Sequence, residues 1–263
     1  MIRHQAPVRG SEGTHEKSGS VMTLIHTPPG EVPVPGPAYL AATHYFDTGH
    51  PLIRAFVDKA IAGETTDIGR AIKLFYAVRD GWRYDPFSIL SSSDSYIASN
   101  ILQRNVGYCV PKGVLLTTLA RAAGIQAGIG LSDVKNHLTT DKLKERMGGS
   151  TTFMHHGYAV LYLEGRWVKA APAFNIELCD RFGVRPTEFD GHSDAVFQEY
   201  DKQDRRHMEY VKDHGCWSEL PFEKIMADFK AFYPLGLFAD IGGEEKERFE
   251  DGAPARKDGA RAA

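Results

Sequence analysis

The chain has 263 residues, 42% hydrophobic and 25% charged, with a net charge of -3. That size suits one folded unit with loose ends, and the charge balance gives no electrostatic reason to expect nucleic acid or anionic lipid as a partner. No run of about 18 apolar residues is present to span a membrane, and the polar N-terminus lacks a basic region followed by a long apolar stretch, so a cytoplasmic protein acting on small molecules or peptides is expected.

Residues 1–38 are dense in Gly, Ser and Pro without apolar periodicity, and ordering them would cost entropy without burial. They are expected to lie outside the fold, and Met22 is a second candidate start. Next, "HPLIRAFVDKAIA" places Leu52, Phe56 and Ala60 at helical spacing, and "DIGRAIKLFYAVRDGW" does the same with Ile68, Ile72, Phe75 and Tyr76. The following "RYDPFSILSSSDSYIASNILQRN" reads as a polar loop and a short helix ending near Asn105.

"NVGYCVPKGVLLTTLARAAGI" is the clearest element. Leu116, Leu119, Ala120 and Ala123 recur as one helix face, Pro111 sits in the permissive first turn, and Gly124 closes the helix. "IQAGIGL" then reads as a short buried strand, and a polar insertion follows. In "HHGYAVLYLEGRWVKAAPAFN", Tyr158, Val160 and Tyr162 alternate with Ala159, Leu161 and Leu163 up to a two-residue turn at Glu164-Gly165, which predicts a hairpin. From Ile176 to Ile241 the pattern gives loops and one helix, "FEKIMADFKAFY". Residues 242–263 form a charged, Gly-punctuated tail.

Cys109, Cys179 and Cys216 are odd in number and widely spaced, which predicts free thiols. Cys109 stands apart because it opens a helix, where unpaired N–H groups and the positive end of the dipole favour thiolate. The same amides can hold a developing oxyanion. His156, at the start of the first hairpin strand, is the partner a nucleophilic cysteine requires. Neighbours on a strand face opposite ways, so only one of His155 and His156 can reach the thiol, and His155 is expected to be structural or exposed. The histidines form no HExxH and the cysteines no paired CxxC, so neither metal nor cofactor is expected.

In order, "VRDGWRYD", "GYCVPKGVLLTTLARAAGIQAGIG" and "HHGYAVLYLEGRWVKAAP" resemble the core of the transglutaminase-like superfamily, over roughly residues 70 to 175. The resemblance implies an α+β, papain-like core in residues 39–241, its nucleophile helix packed on an antiparallel sheet. It also implies Cys109 as nucleophile, His156 as base, and Trp82, Tyr84 and Tyr108 along the substrate cleft. At the family's orienting aspartate position this chain has Ala171, before Pro172. Asn175, Asp133 and Asp190 are the candidates to replace it, with Asn175 preferred. The expected chemistry is hydrolysis of an amide or ester through a Cys109 thioester. The alternatives are acyl transfer to an amine and a non-catalytic binding module.

Overall fold

The computed structural model describes residues 24–137, 139–197, 201–205, 207–234 and 238. The expected C-terminal tail and residues 1–23 lie outside the described residues. A five-stranded antiparallel sheet has the order β1-β7-β4-β5-β6: β1 (His26–Thr27), β7 (Met208–Trp217), β4 (Ala127–Asn136), β5 (Thr152–Leu163) and β6 (Arg166–Ala170). The β5-β6 turn carries φ 47° at Glu164 and 82° at Gly165, the paired positive angles that match a tight hairpin to the strand twist.

Helix α4 (Cys109–Ala122) lies against one sheet face and is enclosed on its other sides by α1 (Pro51–Ala60), α2 (Asp67–Gly81) and α3 (Ala98–Arg104). Every residue from Cys109 to Arg121 is consequently buried, so α4 is a central strut and not the one-sided helix its periodicity suggests. Two glycines permit the close approach. A Cβ on Gly113 would sit 3.2 Å from the Tyr158 nitrogen, and one on Gly157 would sit 2.7 Å from the Val110 Cα. Buried polar side chains on α4 find backbone acceptors: Lys112 donates to the carbonyls of Arg79 (2.9 Å) and Trp82 (2.6 Å), and Arg121 to those of Ala127, Ala41 and Ser218.

Several expectations are corrected. Residues 24–38 are not loose: His26 and Thr27 pair with Trp217 and Cys216, Trp167 Nε1 donates to the Pro33 carbonyl (2.6 Å), and Gly36 N–H donates to Gln126 Oε1 (2.5 Å). This Pro-rich strap is held by the sheet, which local composition cannot reveal. The buried face of α1 is set by Ile53 and Val57, and Leu52 is exposed. Strand β4 runs on through Asn136, and the polar insertion after it contains α5 (Asp141–Arg146), N-capped by Thr140. Ile176–Ile241 contains α6 (Ile176–Phe182) and the central strand β7 besides the expected helix α7 (Phe222–Phe232). Two short strands, β2 (Arg83–Tyr84) and β3 (Val106–Gly107), pair in parallel and bring Tyr84 beside the start of α4. No helix among the described residues is long and apolar enough to cross a membrane.

Candidate active site

Cys109 is the first residue of α4, after Tyr108 in extended conformation. The backbone N–H groups of Gly157 on β5, of Val110 and of Cys109 itself act on the sulfur. All three favour thiolate, yet burial outweighs them and pushes the thiol up to about 11. The cause is a cover. Cys109 is 6% exposed and borders a void of about 30 Å³, room for one or two waters. Tyr84, Tyr108, Phe153, Met154, Phe229 and Tyr233 line its walls, and Leu143 and Met147 close it from α5. Arg146 of the same segment stacks over the Phe87 ring at 4.5 Å, and Gly148 and Gly149, both with positive φ, follow α5.

The histidines are arranged differently from the expected pairing. Along β5 the pleat is regular from Gly157 onward: Gly157, Ala159 and Leu161 face α4, while Tyr158 and Val160 form a second cluster with Tyr39, Ala171 and Cys216 on the opposite face. His156 belongs to that opposite face by alternation, and its ring hydrogen-bonds the backbone of Val196, which packs on the second cluster. Burial lowers His156 to about 4, and its Nε2 has no partner. His156 is therefore turned away from the sulfur, and the expected pairing is corrected.

One residue earlier the register breaks. Ser132 pairs with His156 but Val134 pairs with Phe153, so β5 holds an extra residue, and His155 sits there with φ 53°. His155 lies on the side of α7, where it meets Asp228 and Phe229. Its ring is 6.0 Å from Phe229, which is itself 6.3 Å from Tyr108 and lines the Cys109 void. Far from exposed, His155 is fully buried. Its amide donates to Asp133 Oδ1 (3.0 Å), and its Nε2 donates to Asp228 Oδ2 of α7 (2.7 Å). A carboxylate on Nε2 fixes the proton there and leaves the Nδ1 lone pair as the basic position; that Nδ1 is buried and unpartnered. Burial holds the imidazole below its ordinary value against the pull of Asp228. The Asp228 carboxyl, raised by burial but lowered more by Lys224 and His155, ends below the usual range.

The other candidates separate. Tyr84 and Tyr108 border the void, with Tyr108 sharing a 2.7 Å hydroxyl contact with Tyr96. Trp82 is a core residue that does not line it: its Nε1 donates to the Ile101 carbonyl (3.1 Å) and its ring meets Phe56 edge-on. Asn175 is committed elsewhere, accepting from the Tyr84 amide (3.0 Å) and donating to Glu177 (2.8 Å), so it fastens β2 to α6 and orients neither histidine. Asp190 is spent on the amides of His192 and Ser193. Asp133 touches His155 and, at 2.8 Å, His214 Nε2. Asp228 escaped the sequence reading because only the tertiary packing of α7 on β5 brings it close. All three cysteines are free and buried.

No curated protein matches the chain. A candidate cysteine protease from Cytophaga hutchinsonii matches at 12% identity and a TM-score of 0.40, covering 68% of this chain and 51% of its own length. A candidate protease from Parabacteroides distasonis matches at 11% identity and a TM-score of 0.35, covering 51% of this chain and 25% of its own. The chain thus spans about half of the first of these proteins and a quarter of the second. Residues 54–172, from α1 to the end of the β5-β6 hairpin, match the sequence pattern of the transglutaminase-like superfamily.

Proposed function

We propose that the protein is a thiol hydrolase of amide or ester bonds whose site is covered in the resting state, with Cys109 as nucleophile and His155, oriented by Asp228, as base. The match of residues 54–172 to the transglutaminase-like superfamily supports thiol-dependent enzyme chemistry at the family level. The observation that carries the reading is the place of Cys109 as the first residue of α4, where backbone N–H groups pull the thiol down. Burial alone opposes them, so displacing Leu143 and Met147 removes the one unfavourable contribution and leaves the favourable ones. The sulfur then attacks the acyl carbonyl as its proton passes to His155 Nδ1. The leaving group takes that proton, and water, deprotonated by the same nitrogen, releases the acid and restores the thiol. The aromatic walls suit an acyl group with apolar or aromatic substituents.

The test is an activated acyl ester followed by intact-mass spectrometry and product analysis, with and without a primary amine. We expect a thioester on Cys109 that is lost in Cys109→Ser. Turnover should fall by at least about a hundredfold in His155→Ala and far less in His156→Ala, and the product should be the free acid even with amine present. Amide product would make the protein an acyltransferase, and no adduct at Cys109 would sink the thiol reading. A second reading, a binding module that keeps only the scaffold, is favoured by Ala171 and by the outward turn of His156. It requires the absence of any adduct.

A further inference from the structure

We propose that Asp133, His155 and His214 form a binding site for one divalent transition ion of the zinc type. One donor atom from each lies within 4.8 Å of the others, and the two imidazole rings are 4.6 Å apart. The set comes from three elements that the sheet holds in fixed register, β4, the β5 bulge and β7. Two imidazoles and a carboxylate are the donors a borderline divalent ion prefers, and three protein ligands leave a position for water.

Two observations point to a ligand and not to a mere hydrogen-bonded cluster. His155 is fully buried, yet its Nδ1 has no partner, a cost the fold accepts beside two other donors. Its far nitrogen is held by Asp228 at 2.7 Å, the carboxylate-on-imidazole arrangement that orients a ligating histidine and raises its basicity. Asp133 and His214 side chains keep 11% and 8% exposure, enough to give an ion an entry from solvent. His214 Nε2 now shares a proton with Asp133 Oδ1; ligation takes that lone pair, and the proton moves to Nδ1 or leaves to solvent.

The ion and the thiol chemistry compete for one atom, the Nδ1 lone pair of His155. Metal occupancy therefore silences Cys109, a regulatory consequence that rests on the hydrolase reading; the binding site itself does not. The test titrates the metal-free full chain with Zn2+ against a chromophoric chelator and follows the melting temperature. We expect one ion per chain and a Zn2+-dependent rise in melting temperature. Affinity should drop by at least tenfold in His214→Gln and in Asp133→Asn, and by about 10- to 100-fold in Asp228→Asn. Cys109→Ser should bind as the wild type does. Sub-stoichiometric binding to the wild type, or undiminished affinity in folded His214→Gln and Asp133→Asn, overturns the site. Absence of a thioester adduct in the metal-free chain, with Zn2+ binding intact, would overturn only the hydrolase reading.

Discussion

Truncating Met147 to alanine tests whether the α5 segment is the cover that suppresses the thiol. Burial moves Cys109 from an ordinary 9.0 to about 11, which leaves on the order of a hundredfold less thiolate near pH 7.5, worth ~3 kcal/mol of disfavoured ionisation. Met147 is itself buried and sits directly on the void, so its loss opens a water path to the sulfur. Site-resolved mass spectrometry of iodoacetamide labelling between pH 6 and 10 reads the outcome. In the wild type Cys109 should label about a hundredfold more slowly than an exposed thiol. Met147→Ala should raise its rate by at least tenfold and move the midpoint of its pH profile below 9. Cys179 and Cys216, both buried and both pushed up to about 12, serve as internal standards that stay slow. If Cys109 in a folded Met147→Ala protein remains as slow as those two, the cover does not control the sulfur and the reasoning fails.

Two predictions concern the scaffold. Lys112 is buried with its folded value lowered from 10.5 to about 7, mainly by burial. Between those values the unfolded chain holds a proton the folded chain lacks, so this group makes stability rise with pH, by up to about 1.4 kcal/mol per pH unit. Urea melts at pH 7.0, 7.75 and 8.5, below the range where the raised thiols act in the opposite direction, should show the rise in the wild type and its absence in Lys112→Met; equal slopes would refute the assignment. Gly157→Ala places a Cβ 2.7 Å from the Val110 Cα, a backbone atom that cannot swing aside, and should cost about 1–3 kcal/mol in denaturant unfolding. A loss below about 0.5 kcal/mol would mean that β5 and α4 are not in this contact.

The nucleophile helix and the β5-β6 hairpin were legible because local rules suffice for them: a helical apolar repeat with Pro111 early and Gly124 late, and strict alternation ending in Glu164-Gly165. Strand β7 was not, since "MEYVKDHGCW" mixes charges with a glycine and owes its place to pairing with β1 and β4. Alternation back from Gly157 puts His156 on the face away from α4, so its choice as base rested on the resemblance, and the structure exchanges the roles of His155 and His156. The absent aspartate at Ala171 is consistent with this exchange. Ala171 shares the outward face with Tyr158, where a carboxylate would have no route to the histidine on the Cys109 side.

The bulge itself carries the remaining argument. A non-glycine residue in the left-handed region costs about 1–2 kcal/mol, and His155 meets that cost with hydrogen bonds from two separate elements, Asp133 on β4 and Asp228 on α7. A regular strand would avoid the strain and keep a ladder hydrogen bond. What the strained form holds is a buried imidazole against α7, its Nε2 proton fixed by Asp228 and its Nδ1 without a partner. Both uses inferred for that nitrogen, proton acceptor and metal ligand, need the same lone pair. If His155 served packing alone, a phenylalanine in its place would keep the ring contact with Phe229 and lose only polar partners that the apolar surroundings do not need.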